Sequence, residues 1–455
     1  MDASILRKAL DLSHADLTIL KWMKREQIQT TVPDGVPQTF TQTVFQGVGC
    51  RSLVKGSWGF SSTTTAEDAP DVVKTSERLA RLPCREEEVK IAEADPVTGE
   101  WSSSVEKPFA IADMDMLFEL IKEADLAVKE VPHVVSDSVS ILIVTDEKIL
   151  MTSEGTHIHQ KEHRIMGTVT VLAKNRGKIS QGREIIGGER GREFFEKSDL
   201  SQTAVDVGRR ASRRIDATLP PAGRVPVVLS GEVVGLLVHE AVGHASEADI
   251  VRAGSFLSGK FNTVVASPLI SITDDATLPG GFGTTGFDDE GVPAQSTPII
   301  SRGILTNYLH SRETAHWFDV RSTGNARAWL FSREPVVRMS NTFLHPQDMT
   351  FEELLEEAHE GLYLSGGRGG CADRNGQFTF TTTDAQKIEK GELTDSYFVG
   401  PVIAGDALNA LKTCRGVGNS ETFNLHASVC GKEESAFVSS GGPALVTELH
   451  VGGVL

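Results

Sequence analysis

The chain has 455 residues, 39% apolar and 24% charged, a globular composition longer than one hydrophobic core ordinarily supports, so two or three domains are expected. Its 45 basic against 62 acidic residues give a net charge of −17, which disfavours a phosphate backbone or an anionic lipid surface and argues against direct nucleic-acid binding. Five scattered cysteines without a C-x-x-C pair suit a reducing compartment, and no apolar run reaches the roughly 18 residues of a membrane span. With an opening that reads as an amphipathic helix and no secretory signal, the expected location is the cytoplasm, with no membrane partner.

Residues 4–13 read as a helix. From Asp16 to Thr65 apolar and polar residues alternate around Pro33-Asp34-Gly35, the pattern of an antiparallel meander. Helical periodicity returns at 67–82 and at 109–128, where Met114, Leu117, Phe118, Ile121 and Leu126 make an apolar face, with a polar loop between. Strands divided by sharp turns occupy 137–188, and 193–218 reads as one amphipathic helix ending at Arg213-Arg214. The stop Leu219-Pro-Pro-Ala-Gly223 marks the main boundary. A strand at 225–229, a buried helix, many short glycine-punctuated strands and a helix at 350–360 follow. The expected class is α+β and two-lobed: an N-terminal α+β domain (1–130), a middle α+β region (131–220), and a glycine-rich, mostly-β C-terminal domain (221–455) carrying the buried helix.

That helix contains the most informative residues, His239-Glu240-Ala-Val-Gly243-His244-Ala-Ser-Glu247-Ala-Asp249. Neutral imidazoles suit zinc, a carboxylate beside them can take a proton from metal-bound water, and a third ligand from elsewhere leaves one position for substrate. The zincin signature is one residue shorter, and the difference matters. At about 100° per residue, side chains four apart lie about 40° from one another on a helix, whereas side chains five apart lie about 140° apart. Either the helix carries a wide i→i+5 turn, or it ends near Gly243 and His244 approaches from the next turn. With 13 His and 62 acidic residues, chance predicts roughly 0.05 such motifs per chain, so the pattern is suggestive alone.

Other candidates are weaker. His157 and His159 share one face of an expected strand, with His163 nearby, but alternating polar residues are usual on a solvated strand face. Gly281-x-Gly283-x-x-Gly286 matches a dinucleotide fingerprint, yet Phe-Asp-Asp-Glu-Gly-Val-Pro follows and cannot open a helix, so a loop is expected. Cys414 and Cys430 compete for the third-ligand role, although from chemistry alone each reads as a small buried hydrophobe sooner than as a ligand.

The motif helix resembles the HExxxH helix of the TldD/PmbA family, described as zinc metalloproteases and formerly as modulators of DNA gyrase. Phe287-Asp-Asp-Glu-Gly-Val-Pro293, Ser322-Thr-Gly-Asn-Ala326, Met339-Ser-Asn-Thr-Phe343, Val429-Cys-Gly-Lys-Glu433 and His450-Val-Gly-Gly453 are similar to the family's later blocks, in the family's order. Gly47-Val-Gly-Cys-Arg51 and Ser153-Glu-Gly155 extend the likeness into the N-terminal half. After His244, Ala245-Ser246 replaces the family's Gly-Leu-like pair, which leaves the ligands untouched. TldD-like chains keep HExxxH and PmbA-like (TldE) chains lose it, so the chain looks like the catalytic type.

The resemblance implies His239, His244 and Cys430 as zinc ligands and Glu240 as general base. It makes Glu247 and Asp249 candidates for orienting an imidazole, with a salt bridge to Arg252 as the equal alternative. It also implies a two-subunit particle, a homodimer or a heterodimer with a PmbA/TldE-like chain, enclosing a cavity for extended substrates. The expected function is a zinc-dependent peptidase acting on unfolded peptides. Thr323-Gly324-Asn325 is a candidate edge for strand addition by the substrate. The alternatives are a non-catalytic zinc-containing partner subunit, against which the intact Glu240 argues, and a zinc hydrolase of non-peptide amides.

Overall fold

The computed structural model describes residues 2–82 and 88–452, so Cys84 and Gly453 lie outside the described residues. The expected meander is present. Strands Leu17–Pro33, Thr39–Val54 and Ser57–Thr63 pair antiparallel in succession, turning at Asp34-Gly35 and at Lys55-Gly56, where positive φ at both residues suits tight turns. The first of these strands also pairs along its length with Val134–Thr152, which pairs in turn with His157–Asn175, so residues on both sides of position 130 share one seven-stranded sheet. Its helices cover it where the periodicity predicts. Leu117, Ile121, Ala124 and Val128 of Met114–Lys129 bury against Val139, Ile141 and Val169 of the sheet.

One helical expectation differs. The segment 193–218 forms two helices, Glu193–Lys197 and Leu200–Arg213, because Asp199 leaves helical geometry and its carboxylate accepts from Gln202 N–H as an N-cap.

The C-terminal half is mixed α+β, dominated by two further sheets. In one, the strand pairings close on themselves: Gly223–Leu229 pairs with Leu445–Gly452, then Val402–Asp406, Gln377–Glu389 and Gly361–Ala372, which returns to Gly223–Leu229. In the other, a six-stranded sheet, Asn424–Gly431 is the terminal strand and pairs only with Ser435–Gly442 among the described residues. The motif helix packs between these sheets, and Val233, Val234, Leu237, Val238, Ala241 and Val242 enter the largest apolar core.

The two halves meet through buried charge. Arg164, 2% exposed, donates to the carbonyls of Phe282 (2.7 Å) and Thr284 (2.9 Å) and pairs with Glu162 at 2.7 Å. Lys21 pairs with Asp289 at 2.9 Å and Arg51 with Glu290 at 3.2 Å. The block Phe287–Pro293 is therefore a joint to the N-terminal sheet. The glycine triplet beside it is a loop: Gly283 N–H donates to Asn341 Oδ1, and a Cβ there would lie 2.3 Å from Ser340 O.

Removing a guanidinium from this joint strands buried carboxylates. Arg164→Met is expected to lower stability by about 3–5 kcal/mol, read as a reduced urea midpoint.

Candidate metal centre

The motif helix starts at Ser230, whose hydroxyl accepts from Val233 N–H, and is regular over Gly231–Leu237. Over Val238–Gly243 it widens into a π turn, with His244 N–H bonding to His239 O. The first of the two geometries allowed by the sequence is therefore the one adopted. An i→i+5 turn places residues five apart on one face, as a single-turn bulge at a functional site does. Gly243 makes room for it: a Cβ there would lie 2.0 Å from Met339 Sδ.

On that face His239 Nε2 and His244 Nε2 each approach Cys430 Sγ at 3.2 Å, and the two ring centroids are 5.0 Å apart. Cys430 comes from the terminal strand Asn424–Gly431. The three donor atoms lie within 4.8 Å of one another. Two nitrogens and a sulfur around tetrahedral zinc, at about 2.0 and 2.3 Å, stand about 3.5 Å apart, so the set fits zinc with a few tenths of an ångström of expansion. Cys414 takes no part, being buried with its Sγ 3.6 Å from Gly416 O, where desolvation pushes its thiol up to about 12.

The electrostatics favour a thiolate. Burial raises the Cys430 thiol, but hydrogen bonds from the two imidazoles outweigh it and hold the group at about 5. Burial works against a charged His244, yet Cys430 and Glu247 raise it to about 10. His239, His244 and the Cys430 thiolate would hold a dication in place of the imidazolium proton. Glu240, on the same π turn, faces the cavity; burial raises its carboxyl, and the imidazoles pull it part of the way back.

Glu247 and Asp249 separate in role. Glu247 Oε2 lies 3.1 Å from His244 Nδ1, which leaves Nε2 for the metal. The carboxylate is fully buried, and His244, Lys432 and Arg338 hold it ionised against desolvation. Among the described contacts Asp249 meets no imidazole; it accepts from Lys432 Nζ at 2.6 Å, and Lys432 also reaches Glu247 at 3.1 Å. Arg252, the alternative partner, stacks over the Trp317 ring at 3.7 Å.

Two positioning residues went unassigned from sequence. Arg338, 1% exposed, donates to Cys430 O at 3.0 Å and to Glu434 O, and Lys432 ties Glu247 to Asp249. Lys432 is two residues beyond Cys430, a spacing that places both on one side of an extended chain and was readable as such. Arg338 had no such signal.

The centre floors a cavity of about 790 Å³. Ser428, Val429 and Gly431 line one side and Gly370–Arg374 (370–374) the other. Thr323-Gly324-Asn325, the expected substrate edge, does not line this cavity. Thr323 Oγ1 donates to Asn325 Oδ1 at 2.6 Å, and Asn325, 2% exposed, donates to Asp274 and to Arg338 O, so the block braces Arg338 from behind. The histidines of the N-terminal sheet do not converge: His159 bonds Glu147 at 2.9 Å and His163 bonds Thr145 at 3.1 Å.

Because Glu247 orients His244, Glu247→Gln is expected to weaken zinc binding about 10–100-fold in chelator competition. Asp249→Asn, which removes the charge paired with Lys432 and leaves the Glu247–His244 contact in place, is expected to change it less.

Models of the PmbA/TldA metallopeptidase family match three successive stretches, its domain 1 at 23–81, its central domain at 106–219 and its C-terminal domain at 222–453. The chain is 35% identical over 437 residues, 92% of each chain, to a protein of Methanocaldococcus jannaschii named metalloprotease. It is 27% identical over 421 residues, 90% of each chain, to a Saccharolobus solfataricus protein named zinc metalloprotease TldD homolog. The solved structure of TldE from Thermococcus kodakarensis shares its fold over 99% of both chains, with a TM-score of 0.79 at 16% identity. On the three matched domains and the relatives of its full length, the chain belongs to the PmbA/TldD family of metallopeptidases.

Proposed function

We propose that this protein is a zinc-dependent peptidase that hydrolyses unfolded or extended peptides. One observation carries the reading: a bis-imidazole–thiolate donor set and a carboxylate from the same π turn meet on the floor of a cavity bordered by the strands Asn424–Gly431 and Gly361–Ala372. Zinc, when bound, polarises a scissile carbonyl and acidifies water. His239, His244 and Cys430 would hold the ion, and Glu247 fixes the ring of His244. Glu240 takes a proton from the attacking water and delivers it to the leaving amine. Its raised carboxyl makes it the stronger base for the first step.

The cavity walls favour an extended chain. Ser428, Val429 and Gly431 border the cavity from the terminal strand of their sheet, while Lys178–Gly188 lies against the same strand beside His426, and beyond Leu364 the strand Gly361–Ala372 is paired only to Gln377–Glu389. A peptide lying along either edge gains main-chain hydrogen bonds with little demand on its sequence.

The particle is proposed to be a cytoplasmic homodimer or a heterodimer with a PmbA/TldE-like chain. The uncharged stretch 39–46, with Phe40 and Val44 exposed on an edge, supports assembly, since such edges are ordinarily covered. No helix of the described residues is long and apolar enough to cross a membrane.

A mixture of short unstructured peptides, followed by mass, tests the reading. Wild type is expected to cut; Glu240→Gln is expected to retain zinc and lose about 10²–10⁴ in kcat. Zinc in both proteins with cleavage by neither would overturn the peptidase assignment. Because Glu240 acts as an ionised base and its carboxyl is raised, kcat/KM is expected to fall as pH drops through a value above the ordinary carboxylate pKa of about 4.3.

A further inference from the structure

In the N-terminal half, three carboxylates from separate elements converge. Asp34 stands in the turn after Leu17–Pro33, Asp125 on helix Met114–Lys129, and Asp137 on strand Val134–Thr152. One oxygen from each lies within 4.8 Å of the others. Two oxygens across one calcium ion, each about 2.3–2.6 Å from it, stand up to about 5 Å apart, so the spacing fits a single ion.

The cluster is short of positive charge and of donors. Asp125 and Asp137 are 5% and 3% exposed, and Asp137 Oδ1 has no hydrogen-bond partner. Lys129 Nζ lies 2.6 Å from Asp125, but no second cation pairs with the three carboxylates among the described contacts. Asp34 is held in place by Asp137 N–H at 3.1 Å and by Ser136 Oγ at 3.3 Å, both of which are donors to it and leave Asp137 unsatisfied. A buried carboxylate without a partner is costly, and it is relieved by a cation or by a proton. Burial and the neighbouring Asp125 already push Asp137 up to about 7.

We propose that Asp34, Asp125 and Asp137 form a second metal site, for a hard divalent cation of the calcium class, which ties the first hairpin turn to the helix and strand beneath it. The all-oxygen donor set separates it chemically from the nitrogen- and sulfur-bearing centre at His239 and Cys430, because hard cations take oxygen ligands whereas zinc prefers imidazole and thiolate. The cation does not take part in the hydrolysis proposed above. It holds the turn that leads into the exposed stretch 39–46.

The test uses the full chain loaded with zinc and titrates calcium chloride by calorimetry and by thermal melting. The expected result is one calcium-binding event and a rise in Tm of about 2 °C at ten times the Kd. Asp137→Asn and Asp34→Asn are each expected to weaken calcium binding at least tenfold, with zinc content unchanged. Asp34 has φ +48°, which Asn adopts readily, so the second variant keeps the turn even where the first fails to fold. No calcium event up to about 10 mM, or one that survives both substitutions, overturns the proposal. So does a wild type that ignores calcium while its Tm climbs as pH falls through 7, since a proton shared by Asp125 and Asp137 then does the cation's work.

Discussion

The centre depends on one constraint: two imidazoles five residues apart cannot meet one ion from a regular α-helix, so the helix that carries them must either widen or end between them. The π turn over Val238–Gly243 meets it, and several features of the surroundings serve that turn. Gly243 admits Met339 at a distance no side chain would allow. Met339 N–H in turn donates to Glu247 Oε1, and Glu247 holds His244. Arg338, next in the chain, reaches the carbonyl of Cys430. A single buried segment thus fixes the bulge, orients one imidazole and places the thiolate. Burial of Arg338 and Glu247 away from water gives these polar contacts more weight than they would have at a surface.

The distribution of charge follows a similar logic over the whole molecule. The joint between the halves is built from Arg164, Lys21 and Arg51 on the N-terminal sheet and from acids and carbonyls of 282–290 on the C-terminal side. Arg25 adds a guanidinium stacked 4.3 Å from the Trp329 ring and paired with Asp146. Pairs of this kind add little net stability over apolar packing, but breaking one leaves a buried charge, so they define the relative placement of the halves sharply. The N-terminal sheet therefore serves the centre indirectly, by fixing the loop that packs against Ser340 and Asn341.

Much of this was legible in the sequence, and the parts that were not share a cause. Period-two alternation around Asp34-Gly35 and the apolar stripe of Leu117, Ile121 and Val128 are local signals, and both elements formed where they pointed. The His-Glu-x-x-x-His spacing narrowed the centre to two backbone geometries, but choosing between them required knowing that Met339 packs on Gly243, a contact across about a hundred residues. Cys430 was separable from Cys414 only through resemblance, since a free thiol carries no local mark of its role. The break at Asp199 was readable, because an acid before Leu200 is an ordinary N-cap, and continuous amphipathicity on both sides masked it. Thr323-Gly324-Asn325 reads in the sequence as a polar, glycine-bearing edge, and the side chain of Asn325 is engaged by Asp274 and Arg338, contacts that no local pattern signals.

X-ray absorption at the zinc edge tests the central claim most directly. For the zinc-loaded chain the account predicts one sulfur at about 2.3 Å and two imidazole nitrogens at about 2.0 Å, with the sulfur lost in Cys430→Ser. A shell of nitrogen and oxygen alone, or one unchanged by removing the Cys430 thiol, would contradict it.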